Sequence, residues 1–366
     1  MKKRIIITSI LVSVLLVFIS CGYNNRQHEN KRKVKNIILL IGDGMGVSHV
    51  YAGITASNTN SLELERCTDI GFSKTYSSSH YITDSGAGAT AIAIGRKTYN
   101  SGIGIDADTL SHKTILEIAE ENKLSTGLVA TCRVTHATPA SFIAHQKNRN
   151  SYEDIALDFL KTDIDVVIGG GWDNFNNRKD SIDLLKKFSE KNYYVLDNMD
   201  EIQNVDSGKL IGLVSEGHPP SMLKGRGDML PQAAKTAINI LNKNPEGFFL
   251  MIEGSQIDWE AHGHNTSGII KEVLDFDTAV GIALDFAEQD GNTLVIVTGD
   301  HETGGFSLNG GDFAKDSVFG KFTTGAHTGV MVPVFAFGPG SENFSGIFEN
   351  TAIFDKMMYM YGFKKE

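Results

Sequence analysis

Short, continuously apolar runs recur along the chain, and most are closed by glycine, an acid or histidine. Residues 34–41 (VKNIILLI) are nearly all apolar, the pattern of a strand buried on both faces of a parallel sheet, and they end in Gly42-Asp43-Gly44-Met45-Gly46. Runs over 125–131, 164–168, 193–196, 210–214, 248–252 (FFLMI), 293–298 (TLVIVT) and 329–338 predict further strands. Helical patterns lie at 113–122, 179–191, 230–242 and 350–361. This alternation predicts an α/β fold: one open, mostly parallel central sheet flanked by helices on both faces. Pro333 puts the last strand near an edge or delays its start. There is no internal repeat and no low-complexity tract.

The residues that close these runs carry the candidate chemistry. The stretch 81–95 (YITDSGAGATAIAIG) leads into an alanine-rich helix, with Ser85 at or just before its N-terminus. Backbone N–H groups and the helix dipole favour negative charge there, and the small Gly86, Ala87 and Gly88 admit a close approach. Taken alone, Ser85 reads first as a plain N-cap, since serine before a helix is commonplace. Asp43 follows the first strand without the GK[ST] of a phosphate loop, and a loop aspartate is often only a turn former. His136 and Thr138 follow the 125–131 run, with Arg149 beyond them. Glu253 ends the 248–252 run. Asp258 and His262 follow four residues apart, on one face if helical, in a segment that also holds Glu260 and His264. Asp300 and His301 leave the 293–298 run, and His327 precedes the last strand. A solvated polar face is the plain reading of any one group. Together, four apolar strands end in carboxylate or histidine ligands, and a parallel sheet brings such ends to one edge. Carboxylate and imidazole without thiolate suit Zn²⁺ and Mg²⁺. Two such ions roughly 4 Å apart, with a serine at a helix N-terminus, point to phosphoryl transfer.

The first residues predict an exported protein, held in the periplasm by a lipid anchor. Lys2, Lys3 and Arg4 precede an apolar run over 5–19 that ends at Ser20-Cys21. This resembles a lipoprotein leader over residues 1–20, with Cys21 becoming the lipidated N-terminus; a plain secretory signal or an uncleaved anchor is the alternative. Residues 21–33 are polar and read as a flexible tether, and residues 34–366 as one domain. Removing the leader takes the formal charge from −10 to −13, which argues against a nucleic-acid partner. Cys67 and Cys132 remain, able to pair in an oxidising compartment or to stay free.

The motifs IGDGMG, TDSGAGATA, HATPASFIAH with Arg149, EGSQIDWEAH, TGDHETGG and GAHTG together resemble the bacterial alkaline phosphatases over roughly residues 34–362. The resemblance implies zinc- and magnesium-dependent hydrolysis of phosphate monoesters through a phosphoserine on Ser85. It implies that Asp43, Asp300 and His301 hold one Zn²⁺ and that Asp258, His262 and His327 hold a second. Glu253, Thr138 and Asp43 define a third site, usually for Mg²⁺, and Arg149, oriented by Asp84, grips two phosphate oxygens. His136 replaces a more usual aspartate, which opens the third site to a third Zn²⁺. Trp259 replaces a usual lysine or histidine, which implies weaker phosphate binding and faster release. Between His301 and His327 there are 25 residues, little room for the insertion through which family members often dimerise, so a homodimer is expected without firm support. Phosphodiester or sulfate-ester hydrolysis on the same scaffold is the rival chemistry. Arg149 favours a terminal phosphoryl group over both. A catalytically dead phosphate-binding protein is the rival class.

Overall fold

The computed structural model describes residues 34–364; the leader, the tether and Cys21 lie outside the described residues. In chain order the strands are β1 (Asn36–Gly42), β2 (Asp69–Lys74), β3 (Ser125–Arg133), β4 (Val166–Gly170), β5 (Tyr193–Leu196), β6 (Lys209–Leu213) and β7 (Phe248–Gly254). They continue with β8 (Thr293–Gly299), β9 (Glu302–Thr303), β10 (Ser307–Asp312), β11 (Ser317–Lys321), β12 (His327–Thr328), β13 (Val332–Phe337) and β14 (Gly346–Glu349). Ten of them form one sheet in the order β14-β2-β13-β8-β1-β7-β3-β4-β6-β5. All pairings in it are parallel except those of β13 with β2 and β8.

Every residue of β1 is buried because helices cover both faces. Ile37, Leu39 and Ile41 pack on one side with Ile92, Phe142 and Phe354. Ile38 and Leu40 pack on the other with Leu230, Val273 and Phe276. Strand periodicity sends alternate residues to opposite faces, so a strand covered twice is apolar at every position. Replacing Leu39 by alanine should cost about 2–5 kcal/mol, since neighbours on both sides hold the cavity open.

Several boundaries differ from the sequence pattern for local reasons. The helix expected over 179–191 spans only Leu184–Glu190. Asp183 caps it by accepting from Lys186 N, and before it Arg178 and Asp180 form a tight pair with Ser181 at φ 58°. β13 is not an edge strand, since it is paired on both sides, but it starts late, at Val332. Pro333 is tolerated there, and its carbonyl accepts from Thr298 Oγ1 at 3.0 Å. The helices Val47–Ala56 and Thr266–Asp290, the outer strands β2 and β14, and the β10–β11 hairpin extend the predicted pattern. Among the described residues no helix is long and apolar enough to cross a membrane.

Candidate active site

The helix Ser85–Ile94 begins at the carboxyl edge of the sheet. Its N-cap is Asp84, which accepts from Ala87 N at 3.0 Å. Ser85 is therefore the first helical residue and its side chain is not spent on capping. It is 2% exposed, and its Oγ lies 3.2 Å from His301 Nε2. The helix has to be made of small residues: a Cβ on Gly88 would come within 2.9 Å of the Asp300 carbonyl. Asp84 also accepts from Ser101 N and from Arg149 Nη1, the latter at 2.9 Å. One carboxylate thus caps the helix and aims the guanidinium beside its first turn.

Asp43, Asp300 and His301 converge at the ends of the adjacent strands β1 and β8, with one ligand-capable atom from each within 4.8 Å of the others. His301 Nε2 lies 3.4 Å from Asp43 Oδ1 and 3.3 Å from Asp300 Oδ2. A second group of the same kind joins Asp258, His262 and His327. Asp258 and His262 share a face of the helix Gln256–His262, as their spacing requires. His327 lies on β12, just ahead of β13. Because β13 runs against its neighbours, its beginning falls at the edge where they end.

The hydrogen bonds around these groups prepare them for cations. His262 Nδ1 faces Gly325 O at 2.7 Å and His327 Nδ1 faces Thr83 O at 2.9 Å. Each carbonyl accepts the Nδ1–H of its ring, which leaves each Nε2 turned inward to hold either a proton or a metal ion. Those two Nε2 atoms are 3.2 Å apart, a clash of lone pairs that only a proton or a metal ion between them relieves. Thr303 Oγ1 donates to Asp258 Oδ1 at 2.5 Å. Gly44, at φ 73°, makes room for this pair, because a Cβ there would meet Thr303 Oγ1 at 2.7 Å.

Buried acceptors make the same point. Both Asp43 oxygens, Asp300 Oδ2, Glu253 Oε1 and Thr138 Oγ1 are buried without a hydrogen bond. Unpartnered buried polar atoms are costly and call for an explanation. Burial, then the fields of Asp300, Asp258 and Glu253, push the Asp43 carboxyl well up. Burial is also the main cause raising Asp300 and Glu253 to about 7 each. Burial drives His301 well below its ordinary value. For Asp258 burial acts upward, but His262, His301 and His327 outweigh it and hold the carboxyl low, while Asp258 raises His262 to about 9. A cluster of acids crowded out of water fits divalent cations and fits little else.

The third group lies at the end of β3. Cys132, His136 and Glu253 bring ligand-capable atoms within 4.8 Å, and Thr138 Oγ1 is buried beside them. His136 is pushed down to about 3 by burial and by Arg149, whose Nη2 is 3.5 Å from His136 Nε2. Trp259 stands edge-on to His136 at 5.8 Å and to His218 at 4.6 Å between ring centroids. His218 in turn takes the Arg133 Nε–H at 3.0 Å, and that guanidinium covers the Tyr152 ring.

Every residue singled out as a ligand, as nucleophile or for phosphate binding lies at this edge, but two neighbours in the sequence do not join them. Glu260 holds Asn265 Nδ2, and His264 stacks on Phe322 with its Nε2 at the Thr324 carbonyl. Cys67 and Cys132 are both free thiols, Cys67 under the helix layer and Cys132 in the site. Thr303, Ser255, His218 and Arg133 belong to the site's surroundings, and no spacing in the sequence marks His218 or Arg133.

A family model described as "Alkaline phosphatase" matches residues 34–321. Alkaline phosphatase 3 of Bacillus subtilis (strain 168) is 35% identical, covering 96% of this chain and 95% of its own length. Alkaline phosphatase of Escherichia coli (strain K12) is 31% identical over 93% of this chain and 88% of its own. The structure of alkaline phosphatase from the Antarctic bacterium TAB5 superposes with a TM-score of 0.86 at 43% identity, covering 92% of this chain and all of that one. Variants of that enzyme with one histidine changed to glutamate or aspartate hold Mg in a site called M3. With its motifs converging at one sheet edge and 96% of its length covered by one of these relatives, the chain belongs to the alkaline phosphatase family.

Proposed function

We propose that this edge performs the reaction of the family, hydrolysis of phosphate monoesters, with Ser85 as the nucleophile. The observation that carries the assignment is Ser85 itself: its hydroxyl is free of capping and lies 3.2 Å from His301, whose group also holds the buried, unpartnered oxygens of Asp43 and Asp300. The Arg149 fork, held by Asp84, takes two non-bridging phosphate oxygens and turns phosphorus toward Ser85. Ser85 Oγ attacks in line, the alcohol leaves, and the phosphoryl group stays on the serine. Water then attacks the same phosphorus and frees Ser85, so configuration is retained after two inversions. Asp43, Asp300 and His301 would hold one Zn²⁺ and Asp258, His262 and His327 a second, and bound there the two would supply charge stabilisation for the entering and leaving oxygens. The third group takes Mg²⁺ or a further Zn²⁺. Burial of Ser85 beside Arg149 excludes bulk water from the attacking oxygen.

Ser85→Ala should lower turnover at least about a hundredfold, roughly 3 kcal/mol of barrier, and should abolish phosphoryl transfer to an alcohol such as Tris. Acid-quench labelling of both proteins checks this, and equal labelling of the variant would refute it. A p-nitrophenyl phosphate assay run beside a diester and a sulfate ester separates the rival chemistries.

The setting proposed for the enzyme is a bacterial envelope. Ser20-Cys21 after a short apolar run supports export and a lipid anchor on Cys21, with residues 21–33 as the tether and the domain beginning at residue 34. Cys21→Ala should release the protein from membranes or block its processing; a variant that stays bound, beside native protein that never takes a lipid label, refutes the anchor. A homodimer is the proposed assembly, checked by sedimentation.

A further inference from the structure

The third group contains an atom that a magnesium site does not use. Cys132 is the penultimate residue of β3 and is fully buried. Its sulfur lies 3.3 Å from Glu253 Oε2 and 3.2 Å from the Arg133 carbonyl. Its ligand-capable atom and those of His136 and Glu253 all fall within 4.8 Å of one another. A buried cysteine is commonly just a small apolar filler. Here its surroundings are polar and incomplete. Glu253 Oε1 and Thr138 Oγ1, on side chains with no exposure, lack hydrogen-bond partners, and so does the buried His136 Nδ1. Three unpartnered donors beside one thiol describe a ligand shell.

We propose that Cys132 is a sulfur ligand of the third metal site, so that Cys132, His136 and Glu253 select a zinc-class transition metal over Mg²⁺. The proposal rests on the reading of this edge as the metal centre of a phosphatase. Mg²⁺ demands near-octahedral oxygen ligation, whereas thiolate with imidazole and one carboxylate suits Zn²⁺ or Co²⁺. Ligation forms a metal–sulfur bond, and the thiol proton is released to solvent. In the metal-free chain the thiol has two acceptors for that proton, Glu253 Oε2 at 3.3 Å and the Arg133 carbonyl at 3.2 Å, which is how it is tolerated in the interior. Ser255 Oγ holds the same Glu253 oxygen at 2.6 Å and so keeps the carboxylate aimed when the thiol turns to the metal. His136 contributes an imidazole nitrogen, and the remaining oxygen of Glu253 completes the set.

The test is spectroscopic and independent of turnover. Chelator-stripped full-length protein is titrated with Co²⁺, and the sulfur-to-cobalt charge-transfer absorption in the near ultraviolet is recorded. The wild type should develop the band, Cys132→Ser should lack it, and Cys67→Ser should keep it. Competition with Mg²⁺ should show the third Zn²⁺ bound at least about tenfold more weakly in Cys132→Ser. No band in saturated wild type, a band that survives Cys132→Ser, or a band lost in Cys67→Ser overturns the proposal. Should Cys132→Ser not fold, Cys132→Ala takes its place with the same expected outcome. Chelator-sensitive hydrolysis of p-nitrophenyl phosphate without the band removes the Cys132 assignment and leaves the phosphatase reading standing. The band without hydrolysis supports the sulfur ligand and removes the phosphatase reading.

Discussion

The central strands have two ends that solve the same problem oppositely. At the amino ends of β1, β7 and β8, buried polar groups are matched with one another. Asn36 accepts from Phe248 N at 3.1 Å and donates to Thr293 Oγ1 at 2.9 Å. The Tyr361 hydroxyl, brought in by the last helix, donates to Phe248 O at 2.6 Å and accepts from Ile37 N at 3.0 Å. At the carboxyl ends of the same strands, Asp43, Glu253 and Asp300 are just as buried but keep oxygens with no partner. The first end contributes stability. The second withholds it, because these oxygens are buried without a hydrogen bond to offset the loss of water. Polar burial is therefore a sign of structure where it is satisfied and a sign of a site where it is not.

The largest test of this contrast is to strip the metal. Chelation should abolish turnover and lower the melting temperature, and Zn²⁺ with Mg²⁺ should restore both. At a hundredfold excess over its Kd a single ion adds about 2.7 kcal/mol. Full activity in protein free of metal by elemental analysis would break the comparison. Next in size, Arg149→Ala should lower kcat/KM roughly 10- to 150-fold, the worth of one charged hydrogen-bonding group at about 1.5–3 kcal/mol. Arg149→Lys should not restore it, because a point charge cannot replace the fork that Asp84 orients. Steady-state kinetics on both variants decides this.

At the satisfied end, Tyr361→Phe should lower unfolding free energy by about 1–3 kcal/mol, since Phe248 O and Ile37 N lose their partner. Its kcat should stay within about twofold of the wild type, and denaturant titration with a phosphatase assay measures both. A change in kcat without a change in stability would mean the two ends are not separable.

The smallest effect is one of pH. In metal-free protein burial pushes the folded Asp300 and Glu253 up to about 7, above their ordinary 3.8 and 4.5, so the folded chain holds protons that the unfolded one has lost. Stability therefore falls as pH rises between those values. His262, raised to about 9, contributes stability that is fully present below 6.5 and lost as pH rises through 9, in the same direction. Asp258 acts oppositely but only in acid, because its carboxyl is held low. Burial holds His301 and His136 neutral and gives the opposite slope below their ordinary 6.5, so the melting temperature of stripped protein should decline from about pH 6.5 to about pH 9, and that of loaded protein should be flatter. A stripped protein that grows more stable over this range contradicts the burial of these acids.

Much of this architecture is written locally. A strand covered on both faces must be apolar throughout, so the runs that became β1, β3, β7 and β8 announce themselves, and the residue that ends each run falls at the carboxyl edge of the sheet. Asp43, Glu253, Asp300 and His301 are legible for that reason, and Asp258 with His262 through helical spacing. The outer strands are less legible. β2 buries only alternate residues, with Ile70 and Phe72 exposed, and β14 is four residues long. The cap at Asp84, which frees Ser85, is a matter of one residue that an alanine-rich pattern does not resolve. What only the tertiary structure decided concerns partners far apart in the chain. The antiparallel course of β13 delivers His327, and the order β1-β7-β3 sets Cys132 against Glu253, 121 residues apart in sequence. Glu260 and His264 have the right chemistry at the right spacing and are left outside. Amino-acid periodicity reports which side of an element is buried; which elements are neighbours is settled by sheet order and helix packing, and a metal site is built from neighbours.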